Sequence, residues 1–151
     1  MKRIASFEVD HTVLQPGMYL SRTDGDVVTY DLRFIRPNTP PFLPPAVLHT
    51  IEHLFATYIR NGELGPDILY FGPMGCQTGF YLLVRNADNA RVLAEVRRTM
   101  QKILEHEGPV FGASSRECGN YINLNLECAQ KEARRYLAEL DARSVTFTYE
   151  E

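Results

Sequence analysis

Apolar residues fall in blocks along the chain, and the spacing within each block predicts the elements. The segment VVTYDLRFI, residues 27–35, is rich in β-branched and aromatic residues. It follows Thr23-Asp24-Gly25-Asp26 and reads as a strand entered from a turn. Arg36-Pro37-Asn38-Thr39-Pro40-Pro41 breaks it, and Pro44-Pro45 suits the first turn of a helix. In that helix Val47, Leu48, Ile51, Leu54, Phe55, Tyr58 and Ile59 recur at helical spacing, and Asn61-Gly62 ends it. Residues 67–71 (DILYF) and 80–85 (FYLLVR) read as two strands joined by the glycine-rich GPMGCQTG. A long helix is expected over 87–107, stopped by Gly108-Pro109, followed by a loop over 110–123. Asn125 is placed to cap a last helix, LECAQKEARRYLAEL, whose inner face is Leu126, Ala129, Ala133, Tyr136, Leu137 and Leu140. SVTFTY, residues 144–149, reads as a closing strand. Helices and strands alternate without a strict βαβ rhythm and the strands look hairpin-connected. An α+β fold with an antiparallel sheet is therefore expected.

Composition narrows the class. With 151 residues, 44% hydrophobic and 23% charged, the chain is expected to form a single domain over 1–151. A formal net charge of −3 argues against binding nucleic acid, which wants a basic surface. Cys76, Cys118 and Cys128 are odd in number and far apart, so free thiols in a reducing compartment are expected rather than a disulfide scaffold. The N-terminus MKRIASFEVDH has no apolar stretch behind its basic residues, and no window approaches the ~18 apolar residues of a membrane span. The expectation is a soluble, cytoplasmic protein without membrane contact.

The chemistry concentrates in His49-Thr50-Ile51-Glu52-His53. Two histidines four apart on a helix lie about 40° from each other round its axis, so both imidazoles can converge on one cation. Glu52 sits beside them, where it can serve as a proton acceptor. The third ligand is not local: Cys118 and Cys128 are soft candidates, and Glu105, Glu117 and Glu127 hard ones. Cys118 lies in a loop, Arg116-Glu117-Cys118-Gly119, whereas Cys128 falls inside a helix and reads as a small buried residue. Two histidines and one cysteine would leave a fourth position open, which marks a catalytic site. Cys76, in Met74-Gly75-Cys76-Gln77-Thr78-Gly79, reads equally as structural or reactive. A nearby cation would favour its thiolate and make it an acid–base group. Arg91, Arg97, Arg98 and Lys102 are best explained as a solvated helix face.

The blocks SFEVDH, DLRF, HTIEHLFA, GPMGCQTGFYL and ECG, in this order and spacing, resemble the S-ribosylhomocysteine lyase (LuxS, autoinducer-2 synthase) family over most of the chain. The resemblance implies His49, His53 and Cys118 as ligands of one divalent metal per subunit, natively iron(II), with zinc or cobalt(II) able to substitute. It implies Glu52 and Cys76 as the acid–base pair, and Ser6, His11 and Arg33 as substrate contacts. It also implies an α/β sandwich of the LuxS/MPP-like metallohydrolase type, and a homodimer with active sites at the subunit interface. The implied reaction isomerises the sugar of S-ribosylhomocysteine and then eliminates homocysteine. The other product, 4,5-dihydroxy-2,3-pentanedione, is the autoinducer-2 precursor of quorum sensing, formed as the activated methyl cycle is recycled. Two positions depart from the family pattern: Tyr70 stands where members often have Asp, and Ile35 where many have Cys.

Two other readings share the same histidines. H-x-x-E-H is also the inverted zincin signature, which would make Glu127 the third ligand of a zinc peptidase. A metal-binding protein without catalysis would use His49, His53 and Cys118 and have no need of Cys76.

Overall fold

A computed structural model describes residues 1–149. After a 3-10 turn at Ala5–Phe7 come β1 (Gly17–Asp24), β2 (Val27–Arg33) and α1 (Pro45–Arg60). A second 3-10 turn, Gly65–Asp67, leads to β3 (Ile68–Pro73), β4 (Gly79–Arg85) and α2 (Asn89–Glu105). A third, Tyr121–Asn123, precedes α3 (Leu126–Ala142). The strands form one antiparallel sheet in the order β1-β2-β4-β3, built from the hairpins β1–β2 and β3–β4. With three helices on one face of this sheet, the expected α+β class holds.

Alternation along the strands sorts the two faces. Tyr30, Leu32, Phe80, Leu82 and Val84 point to the helices and join Ile51, Leu54, Phe55, Val96, Met100 and Tyr136 in one core. Phe34 stacks on Tyr136 with ring centroids 4.1 Å apart, and Phe55 on Phe71 at 4.0 Å. Asp31, Arg33, Tyr81 and Leu83 therefore face the other way, away from the helices. Gly79 pairs with Arg33, and a Cβ there would run into the Leu32 carbonyl oxygen, so only glycine lets β4 approach β2 at this end.

The helix signals were read correctly. Pro45 opens α1, and Asn125 caps α3 by accepting the Cys128 N–H. Asp88 accepts the Arg91 N–H and starts α2 at Asn89, and extended backbone at His106 ends it at Glu105, so the helix is two residues shorter at each end than expected. Three expectations are corrected. The strand expected over 27–35 ends at Arg33, because the N–H groups of Phe34 and Ile35 turn to the Thr78 carbonyl instead. Its partner β1 was missed, although the Asp24-Gly25 turn implied a strand before it as well as after. The closing strand shrinks to one bridge, Tyr19 to Phe147, with Leu20 N–H donating to Phe147 O at 2.8 Å. Phe147 has φ 63°, which breaks the extended path.

Cys128 is also corrected. It is exposed, one residue before Ala129 on α3 and so turned about 100° from the buried stripe of Ala129, Ala133, Tyr136 and Leu140. No helix among the described residues is long and apolar enough to cross a membrane.

Candidate metal centre and thiol cleft

One turn of α1 brings His49 and His53 together, with ring centroids 4.5 Å apart. The loop from Val110 carries Cys118 to them, and its Sγ lies 3.3 Å from His49 Nε2. Ligand atoms of His49, His53 and Cys118 all lie within 4.8 Å of one another, the one such metal-ligating cluster among the described residues. This group could hold a metal ion.

Outer contacts orient both rings. His53 Nδ1 lies 2.7 Å from the Phe111 carbonyl oxygen, an acceptor only, so Nδ1 carries the proton and Nε2 is left with its lone pair. His49 Nδ1 donates in the same way to Asn123 Oδ1 at 2.6 Å, which frees the Nε2 that faces Cys118. The Phe111 carbonyl is itself held in place. Phe111 packs edge-on against Tyr58 and His106, Tyr58 OH meets His106 Nδ1 at 2.6 Å, and His106 Nε2 reaches the Pro109 carbonyl at 2.8 Å. Gly112 follows at φ +69°, and a Cβ there would press on the His53 ring. Asn125 N–H donates to Thr50 Oγ1 at 2.8 Å, tying the start of α3 to α1 close to Asn123.

These contacts suit a resident divalent ion: two imidazoles whose Nδ1 atoms are engaged, which leaves each Nε2 to bind, with a cysteine sulfur beside them. The remaining sequence candidates stand apart. Glu117 bonds Ser114, Glu105 bonds Gln101, and Glu127 is exposed at the start of α3. Truncating Asn123 to alanine is expected to weaken divalent-ion binding about 10–100-fold, read by competition with a chelating dye. The fold, read by circular dichroism, should not change.

Cys76 lies elsewhere. Ser6, Phe7, His11, Arg33, Met74, Cys76 and Tyr81 line a cleft of about 310 Å³, so all three expected substrate contacts surround the thiol. None of His49, Glu52, His53 and Cys118 lines it. The charge beside Cys76 is therefore the Arg33 guanidinium, whose NH1 is 3.9 Å from Sγ, and not the metal cluster of its own chain. Asp31, 1% exposed, grips Arg33, 2% exposed, through both carboxylate oxygens at 2.6 and 3.1 Å. Burial opposes the Arg33 charge, but Asp31 by charge and hydrogen bonding more than restores it and holds its pKa above the ordinary arginine range. Burial, and then Asp31, push the Tyr81 phenol above its usual range. His11 Nδ1 sits 2.9 Å from the Val9 carbonyl, which leaves its Nε2 free. Glu52 is half-buried on α1 with no hydrogen-bond or ion-pair partner among the described residues. Tyr70 does not line the cleft; half-exposed on β3, it lays its hydroxyl over Gly72. Ile35 is buried in the core.

A sequence model of the S-ribosylhomocysteinase (LuxS) family matches residues 4–146. The chain belongs to the S-ribosylhomocysteinase (LuxS) family. It is 46% identical to the S-ribosylhomocysteine lyase of Clostridium acetobutylicum over 147 residues, 93% of each chain. The lyase of Borreliella burgdorferi is 44% identical over 93% of this chain and 94% of its own. That of Porphyromonas gingivalis is 46% identical over 93% and 92%. LuxS membership favours neither the peptidase reading nor the purely metal-binding one. The peptidase reading also loses its third ligand, because Cys118 stands where Glu127 would be required.

Sequence reasoning did not find Asn123, the Phe111 carbonyl, Asp31 or Thr78. Asp31 carried a signal, a charged residue in the middle of an apolar strand beside an arginine two positions on.

Proposed function

We infer that this chain is an S-ribosylhomocysteine lyase, a carbon–sulfur lyase that releases homocysteine and 4,5-dihydroxy-2,3-pentanedione. The observation that carries the reading is the pairing of two groups in a LuxS chain: a thiol cleft organised by Arg33, and a His49–His53–Cys118 cluster with both imidazoles oriented.

The substrate explains the need for both. Its sulfur is on C5 and its carbonyl at C1, so the C4 proton is not acidic until the carbonyl has moved to C3. Two isomerisations through enediols achieve that, each taking a proton from one carbon and returning one to the next. A base then removes the C4 proton, the electron pair forms the C4–C5 double bond, and the C5–S bond breaks to release the thiolate. In this reading Cys76 Sγ, as thiolate beside Arg33, takes and returns the carbon-bound protons of the isomerisations. Glu52, whose carboxylate oxygens meet no partner among the described residues, handles hydroxyl protons and takes the C4 proton. Ser6, His11 Nε2 and Arg33 hold the substrate in the cleft. His49, His53 and Cys118 would hold iron(II), replaceable by zinc or cobalt(II). The bound ion would act as a Lewis acid for the charge that grows on the carbonyl oxygen at each step.

The same arrangement supports a homodimer with sites between subunits. Arg33 and Tyr81 face away from the helices while the histidines ride on α1, so the cleft of one chain and the cluster of the other would make one site. Two free thiols at work suit the reducing cytoplasm. Mixing Cys76→Ala and Cys118→Ala chains after reversible subunit dissociation tests this. Half of the resulting dimers are mixed and have one intact site of two, so about a quarter of wild-type activity should return. No recovery in dimers shown to have exchanged subunits would place both groups of a site in one chain.

A further inference from the structure

Tyr149 and Thr78 lie at opposite ends of one chain of hydrogen bonds whose direction is fixed by what each group can donate. Tyr149 OH donates to Asp31 Oδ2 at 2.8 Å. Asp31 also accepts from Arg33 NH2 at 2.6 Å and from Arg33 Nε at 3.1 Å. Arginine has no acceptor, so the 2.8 Å contact of Arg33 NH1 with Thr78 Oγ1 must use the threonine oxygen as acceptor. That leaves Thr78 one hydroxyl proton, and Cys76 Sγ lies 3.0 Å away. No other acceptor meets Thr78 Oγ1 among the described residues, so an ionised sulfur, which can only accept, would take this proton. Thr78 is 1% exposed, and its carbonyl accepts from Phe34 and Ile35 N–H, which locks the turn that bears it.

The Tyr149 end is seated as firmly. Its ring stacks on Tyr19 with centroids 4.9 Å apart and planes 14° from parallel. The Phe147 bridge to β1 fixes the segment that carries it. Tyr149 lies just beyond residues 4–146, the stretch matched to the family.

We propose that Thr78 and Tyr149 are positioning residues for Cys76: Thr78 donates its hydroxyl proton to the sulfur and favours the thiolate, and Tyr149 clamps Asp31 so that Arg33 presents NH1 to Thr78 and Cys76. Resting on the lyase reading, this says how the chain keeps its proton carrier ionised. The groups that face Cys76 are Arg33 from β2, Thr78 from its own turn, Tyr81 from β4 and His11 from the N-terminal segment; Asp31 and Tyr149 act through Arg33.

The test needs no substrate. Metal-loaded protein is treated with iodoacetamide from about pH 5 to pH 9, and modification of the Cys76 peptide is followed by mass spectrometry. Thr78→Val should move the alkylation profile to higher pH by about one unit and slow it about tenfold on the acidic limb. Thr78→Ser keeps the hydroxyl and should restore the wild-type profile. Tyr149→Phe should shift the profile the same way by a smaller amount, slowing alkylation about two- to fivefold on that limb. Because Tyr149 is half-buried and this variant removes only its hydroxyl, it serves even if Thr78→Val fails to fold. Unchanged profiles in folded variants, with or without a change in melting temperature, would overturn the proposal. So would a Thr78→Ser profile that matches Thr78→Val. If wild-type protein releases no homocysteine, the lyase reading fails while the alkylation result stands by itself.

Discussion

Cys118→Ala protein is expected to purify with almost no bound metal and to lose at least about 10³-fold in kcat/KM. Cys118 is the one sulfur ligand in the cluster with His49 and His53, and two histidines alone hold a divalent ion poorly. The loss should show in metal analysis by inductively coupled plasma mass spectrometry, and added metal should not restore turnover at stoichiometric levels. The same experiment on Glu127 gives the contrast. Glu127 is exposed at the start of α3, so Glu127→Ala should keep full metal content. A peptidase of the inverted zincin type would show the reverse pattern.

Cys76→Ala should do the opposite to the two properties. Its partners are Arg33 and Thr78, not the metal cluster, so metal content should stay at the wild-type level. Turnover should fall by about 10³–10⁴-fold, the range for removal of a general acid–base group that acts in successive proton transfers. Metal content and steady-state homocysteine release, measured on one preparation, check both halves. A protein that merely binds metal would tolerate this substitution without consequence.

How much of this was legible beforehand depends on whether the cause is local. The histidine pair was readable because four residues on a helix dictate a shared face whatever surrounds them. Asn125 was readable because a cap acts on the turn that follows it. The third ligand was not, since Cys118 reaches His49 across 69 positions, and spacing alone left five candidates open. The family resemblance and the geometry converge on Cys118. The groups that orient the imidazoles escaped for the same reason, Asn123 lying 74 positions from His49 and Phe111 58 positions from His53. Cys76 shows a subtler miss. The residues alone left it equally structural or reactive, and the positive charge expected beside it from a metal is in its own chain that of Arg33, held by a buried carboxylate. Cys128 was misplaced because the apolar character of its neighbours says nothing about a residue turned about 100° off the stripe.

Together, the oriented cluster and the thiol cleft are expected to cleave the thioether of S-ribosylhomocysteine. Protein purified without oxygen and loaded with iron(II) should be incubated with S-ribosylhomocysteine, and free thiol followed with a chromogenic disulfide after the protein is removed. Homocysteine should be released steadily, stop on chelation and return with metal. Protein with full metal content that releases no homocysteine above the uncatalysed rate would contradict it.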